Sequence, residues 1–133
     1  MSVTDSTKMN VREIRVEIFE SYNFVFWDCT PKQIETYIKK HLRGIPADMA
    51  EYIGKDESSQ GCCWHDGANC IIWLSDSPKK RPDLIAHEAV HAAQNILDHW
   101  SIDSRNDGAE VSAAIVAHIV KRTLSEKRNA LQK

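Results

Sequence analysis

The sequence predicts a single α+β domain, and its length and the order of its periodic segments carry that prediction. The 133 residues suit one domain, since two independent cores would need a longer chain. The predicted elements run strand, strand, helix, strand, strand, helix, helix, an order typical of α+β proteins. We expect the domain to span residues 1–133, with residues 1–10 as a loose tail.

Alternation of apolar and charged residues predicts the first two strands. In "REIRVEIF", residues 12–19, the apolar residues Ile14, Val16 and Ile18 alternate with the charged Arg15 and Glu17, which is the period of a half-buried strand. The segment "ESYN" is a turn candidate, and "FVFW" at residues 24–27 predicts a second strand. The two strands are therefore expected to form a hairpin.

Capping residues mark the first helix, residues 30–44. Thr30 can cap its start, Pro31 fits the first helical position, and Gln33 completes a capping box. Gly44 is placed to end it. A short helical turn is predicted around residues 47–52.

The second half of the chain predicts another hairpin and two helices. Strands at 62–65 and 69–74 are joined through Asp66-Gly67, a strong hairpin signal. A long helix is expected from residue 82 to about 100, because a proline and an aspartate favour its start. A last helix is expected over residues 108–127.

Charge and composition exclude several classes of function. The net charge of −2 provides no basic field for nucleic acid, so no nucleic-acid partner is expected. No run approaches the ~20 apolar residues of a membrane helix, and the N-terminal stretch lacks the apolar core of a signal peptide. A cytoplasmic location is therefore expected. In that reducing compartment the four cysteines should be free thiols, namely Cys29, Cys62, Cys63 and Cys70.

Residues 87–91 read His-Glu-Ala-Val-His and predict a metal site within the long helix. Positions i and i+4 lie on one face of a helix, so His87 and His91 can direct their imidazoles at one ion. Glu88 is rotated by about 100° from His87, so it flanks the ion and can act as general base on a metal-activated water. Two imidazoles with a carboxylate suit Zn²⁺ best.

A catalytic zinc site needs a third protein ligand, and the last helix offers one. Glu110 lies in its first turn, and the intervening loop can reverse the chain direction. Asp107 is the alternative ligand. Small side chains on that helix are expected to let the two helices approach closely: Ala109, Ala113, Ala114 and Ala117.

These motifs resemble the zincin metallopeptidases, in particular the gluzincin type with two histidines and a downstream glutamate. The resemblance covers about residues 61–125 and rests on "AHEAVHAA", on "DGAEVSAAIVAHIV" and on the strand "ANCIIWLS". The closest likeness is to small single-domain zincins carried by phages and prophages. It implies a small, mostly antiparallel sheet packed on an active-site helix and a C-terminal ligand helix.

The resemblance also implies an activity and a partner. The chain would be a zinc metallopeptidase that hydrolyses peptide bonds in a peptide or protein substrate. An edge strand at about residues 69–74 would pair with the substrate, with Asn69 and Trp73 as substrate-binding residues. No residue is assignable to stabilise the oxyanion, and His118 is one of several candidates. The alternative is a non-catalytic zinc-containing regulatory or protein-binding module of phage origin.

Overall fold

The predicted order of elements is confirmed by the computed structural model, which describes residues 9–41 and 60–125. Within these residues the fold is α+β, with a four-stranded sheet and three α-helices. The elements are β1 (Val11–Val16), β2 (Ser21–Trp27), α1 (Pro31–His41), β3 (Gly61–Asp66), β4 (Asn69–Leu74), α2 (Pro82–His99) and α3 (Ala109–Leu124).

The sheet is mixed, with strand order β1-β2-β4-β3. Both predicted hairpins are antiparallel, but they meet through a parallel contact between β2 and β4. The chain between these strands includes α1 and β3, which leaves enough length for the crossover that a parallel pair requires. The prediction that residues 69–74 form an edge strand is wrong, because β4 lies between β2 and β3.

Helices cover both faces of the sheet. Helices α2 and α3 share an aliphatic core with one face, and α1 packs on the other face in a core rich in aromatic side chains. The first core includes Ile72, Leu74, Ile85, Ile96, Leu97, Ile115 and Ile119; the second includes Phe24, Phe26, Ile34, Ile38 and Ile71. The candidate site residues on α2 therefore rest on a buried aliphatic layer.

Local signals gave most element starts correctly. The backbone amide of Gln33 donates to Thr30 Oγ1 over 3.1 Å, and the amide of Thr30 donates to Gln33 Oε1 over 2.9 Å, which is the predicted capping box. Gly67 has φ 61° at the first central position of the β3–β4 turn, a conformation that glycine adopts without strain.

The first strand ends earlier than predicted. A 3₁₀ turn at Glu17–Phe19 follows β1, and the amide of Glu20 closes it on the carbonyl of Glu17 over 2.9 Å. Ile18 is consequently 84% exposed and does not continue the apolar face of β1. The alternation predicted a longer strand because it contains no information about this turn.

Several predictions fall on residues outside those described. They are residues 1–8 of the predicted tail, the helix end at Gly44 and the turn around residues 47–52. Two predicted bounds are wrong. The tail does not reach residue 10, because the amide of Trp27 donates to the carbonyl of Asn10 over 3.2 Å, and the last helix ends at Leu124 instead of near residue 127, because Ser125 is extended. Across residues 9–41 and 60–125, no helix has the length and apolar content needed to cross a membrane.

Candidate active site

Helix α2 separates a buried face from an exposed face, and the two histidines lie on the exposed one. Pro82 occupies the start of the helix, where its missing N–H costs nothing. His87 and His91 are both exposed. Their ring centroids lie 5.0 Å apart with the rings inclined at 72°. The i, i+4 spacing therefore brings two imidazoles together on the surface of one helix, as predicted.

Glu88 points the other way and is only 6% exposed. It lies against the start of β3, where Glu88 Oε2 is 3.1 Å from the position that a Cβ on Gly61 would occupy. Burial raises the pKa of the Glu88 carboxyl, while the neighbouring His87 and His91 act to lower it. A carboxyl with a raised pKa beside two imidazoles is a common arrangement at catalytic sites.

A pocket opens between the start of β3 and the start of α2. Its volume is about 450 Å³, and it is lined by Gln60, Gly61, Asp83, Leu84, His87 and Glu88. Of the three predicted site residues on α2, His87 and Glu88 line it. Gln60 and Gly61 were not predicted, because a glutamine and a glycine before a strand give no chemical signal in the sequence.

A hydrogen-bonded bridge closes one side of this pocket. The Arg81 guanidinium donates from Nη2 to Gln60 Oε1 over 3.1 Å and to Asp83 Oδ2 over 2.8 Å, and from Nε to Asp83 Oδ1 over 3.0 Å. The carbonyl of Gln60 accepts from the amide of Ser75 over 3.0 Å. The residue before β3 is thus fixed both to β4 and to the start of α2.

Glu110 is in the first turn of α3, as predicted, and is exposed. Within the described ranges, however, no three His, Cys, Asp or Glu side chains are grouped closely enough to hold a metal ion. The structure therefore brings together His87 and His91, with Glu88 beside them, but does not add Glu110 or Asp107 to a three-ligand group.

The prediction that small side chains of α3 form its contact with α2 is wrong. Ala109, Ala113, Ala114 and Ala117 are all exposed. The alanines of the interhelical core belong to α2 instead, and α3 contributes larger aliphatic side chains, including Ile115 and Ile119. The helices approach closely because α2 is the one with small residues on its buried face: Ala89, Ala92 and Ala93.

Asn69 and Trp73 were expected to bind substrate because their strand was predicted to lie at the edge of the sheet. They lie instead on the interior strand β4, so that argument no longer applies. The side chain of Trp73 packs with the core beneath α1, on the opposite face from α2, and Trp64 packs there too. Asn69 Oδ1 accepts a hydrogen bond from the amide of Tyr22 over 2.9 Å. Both residues have structural contacts, and the edge position next to Glu88 belongs to β3.

His118 lies at β1, with its Nε2 3.1 Å from the carbonyl oxygen of Arg15. It lines a different pocket, together with Glu13, Glu17 and Arg122. Of the candidates for stabilising the oxyanion, His118 therefore does not lie at the predicted metal site. The i, i+8 spacing from Glu110 placed it on a similar face of α3, but sequence spacing did not show that this part of the helix packs beside β1.

Two thiols of β3 lie near Glu88, with Cys63 on the α2 side of the strand and Cys62 on the other side. Burial, together with the nearby Glu88 carboxylate, raises the pKa of Cys62 to about 12. The pKa of Cys63 is raised by its hydrogen bond with Cys70 and by burial. All four cysteines are unpaired, as predicted.

Comparison of the chain with models of protein families, with curated proteins and with solved structures gave no match in any of the three.

Proposed function

We propose that this protein is a zinc-dependent peptidase with its active site at the exposed face of α2. One observation carries the proposal: two adjacent imidazoles lie on the surface of α2, and the intervening Glu88 is buried in a pocket against the outermost strand β3. This combination gives a pair of metal ligands and a shielded carboxylate on the same helical turn. Hydrogen-bonded surface histidines alone would not require a buried carboxylate between them.

The donor set fits a zinc ion in part. His87 and His91 would supply two imidazole nitrogens, and Glu110 would complete the set from the neighbouring helix. A bound zinc ion supplies Lewis-acid activation of a water molecule and of the substrate carbonyl. Since the described residues do not form a three-ligand group, Glu110 would have to move toward the two histidines to join them.

Glu88 would act as general base. Its carboxylate lines the pocket with His87, so a proton can be taken up at Glu88 and later returned to the leaving amine. Contact with Gly61 limits the access of bulk water to this carboxylate. The raised pKa strengthens Glu88 as a proton acceptor, because its charged form is less well solvated.

The substrate would lie along β3. Within the described residues β3 pairs only with β4, and its first residue lies directly over Glu88. An extended peptide added to this side of the sheet would pass beside the base and the two imidazoles. This assigns to β3 the substrate-pairing role that the resemblance to zincins implied for residues 69–74.

We also propose that the peptidase works in the cytoplasm. Its four cysteines are unpaired, which matches a reducing compartment.

The test measures bound zinc and cleavage of a peptide library for the wild type and for Glu88→Gln. The proposal expects about one zinc ion per chain in both proteins, hydrolysis by the wild type, and a loss of at least about 100-fold in the variant. Gln94→Ala, an exposed change on the same helix, is the matched control and should cleave as the wild type does. Peptide hydrolysis that persists in Glu88→Gln would refute the proposed mechanism.

A second candidate is a non-catalytic zinc-containing module that binds another protein. It is favoured because His118, a candidate for stabilising the oxyanion, lies at the carbonyl of Arg15 in β1 and away from the two histidines. In that case zinc would raise the melting temperature of the wild type, while neither the wild type nor Glu88→Gln would cleave any library peptide. The same pair of proteins therefore separates the two candidates.

A further inference from the structure

Gly61 is the only described residue without a side chain that lies against Glu88. A Cβ at this position would be 3.1 Å from Glu88 Oε2 and 3.3 Å from Glu88 Cγ. It would also lie 3.2 Å from the carbonyl oxygen of Trp73. Ordinary van der Waals contacts of a Cβ are 3.4–4 Å, so the first neighbour to move would be the carboxylate of Glu88.

The backbone of Gly61 does not itself require glycine. Of the described glycines only Gly67 has a positive φ, so other residues can adopt the conformation of Gly61. Glycine within a strand is costly, because it has a large conformational entropy to lose and no side chain to pack. What limits a larger residue is the space that two neighbours occupy, the Glu88 side chain and the carbonyl oxygen of Trp73.

The strand cannot simply move away from Glu88. Gly61 pairs with Leu74 in the β3–β4 ladder, and the preceding Gln60 is held by Arg81 and by the amide of Ser75. The backbone of Glu88 is fixed within the buried face of α2. An added methyl group would therefore act on the Glu88 side chain, which is the flexible partner.

We infer that Gly61 is a positioning residue, whose missing side chain leaves the space in which the Glu88 carboxylate is held. The catalytic part of this inference rests on the proposed function, whereas the steric part does not. The added methyl group of Gly61→Ala points toward α2, away from the side of β3 where the substrate would pair. It should therefore lower kcat and leave KM nearly unchanged.

The steric part is tested by urea unfolding of zinc-free protein in a double-mutant cycle with Gly61→Ala and Glu88→Ala. We expect Gly61→Ala to lower the urea midpoint when Glu88 is present. With Glu88→Ala the same change should lower the midpoint less, because only the contact with the Trp73 carbonyl oxygen remains and alanine suits a strand better than glycine. Equal shifts in both backgrounds would overturn the inference. If Gly61→Ala alone does not fold, folding of the double variant supports it, and failure of both contradicts it.

Gly67→Ala is the matched control. Its cost comes from the positive φ of the turn, so it should lower the midpoint equally with and without the Glu88 side chain. In the peptidase assay, Gly61→Ala should reduce kcat by up to about 10-fold, because the carboxylate must move by a few tenths of an ångström, less than the ~1 Å that can cost about 100-fold. A wild type without hydrolysis would refute the proposed function, while the urea cycle would still decide the steric inference.

Discussion

Helices α2 and α3 pack side by side in one core, but they hold their candidate site residues in different ways. On α2, the relation between His87, Glu88 and His91 is set within little more than one helical turn. On α3, Glu110 lies at the exposed start of the helix, after a loop of about nine residues that begins at Trp100. The first arrangement depends on hydrogen bonds within one helix, and the second on how two helices pack.

This difference separates what is rigid in the proposed site from what is adjustable. The two imidazoles need no tertiary contact to lie 5.0 Å apart. The distance from them to Glu110 changes with the loop and with the contacts of α3, which include Ile115, Ile119 and the backbone of β1 beside His118. A zinc ion bound by all three residues would therefore fix the position of the start of α3 relative to α2.

The largest effect should follow removal of a ligand from the rigid helix. His91→Ala leaves one imidazole, so zinc affinity should fall by at least about 1,000-fold and hydrolysis should cease. Isothermal titration of zinc into the protein measures this loss. Because His91 is exposed, the melting temperature of the zinc-free protein should change little. Zinc affinity that is unaffected by His91→Ala would show that the metal binds elsewhere.

The thiol of Cys62, on the face of β3 opposite α2, should react slowly in the folded protein. A pKa raised from 9.0 to about 12 lowers the thiolate fraction of Cys62 at pH 8 by about 1,000-fold. Iodoacetamide should therefore modify Cys62 slowly in the folded protein at pH 8. In urea it should modify Cys62 about as fast as a free thiol. The rate of modification in the folded protein should continue to rise up to about pH 12. The modification rate of each cysteine can be followed by mass spectrometry of digested protein. Rapid labelling of Cys62 near pH 8 would show that this thiol is more accessible to solvent than its burial in the folded protein implies.

Local patterns predicted the elements well because each pattern is read within one segment. Thr30, Pro31 and Gln33 specified the start of α1, and the glycine of Asp66-Gly67 specified a turn with positive φ. The pair His87 and His91 was predictable for the same reason. These features depend on residues that are at most four positions apart.

Strand order and helix contacts could not be predicted in this way. The parallel contact of β2 with β4 joins residues almost 50 positions apart, such as Asn23 and Cys70, and no periodicity encodes it. The apolar run of β4 was compatible with an edge or an interior strand, and its near-complete burial is typical of the interior. The alanines of α3 were assigned to the interface because small size permits close packing, but it does not require it.

The next largest change in zinc affinity should follow substitution of Glu110, the predicted ligand on α3. Glu110→Gln keeps an oxygen but removes the charge, and we expect zinc affinity to fall by about 10- to 100-fold. Asp107→Asn, the alternative ligand in the preceding loop, is the matched control and should bind zinc as the wild type does. The reverse result would transfer the third ligand to Asp107. If both variants bind zinc normally, α3 takes no part in the site.

The smallest expected change in zinc affinity comes from substitutions in the core, and it should differ between the two faces of the sheet. Ile119 lies on the buried side of α3 and Ile38 on the buried side of α1. Replacing either with alanine removes a fully buried side chain and should lower the free energy of unfolding by about 2–5 kcal/mol. Of the two, only Ile119 lies in the core shared with α2. Ile119→Ala should therefore also weaken zinc binding, by less than about tenfold, because it loosens the packing of the helix that carries Glu110. Urea unfolding and zinc titration of the two variants give both quantities. If the two variants weakened zinc binding equally, zinc affinity would depend on the overall stability of the protein. The packing of α3 against α2 would then have no separate part in holding the third ligand.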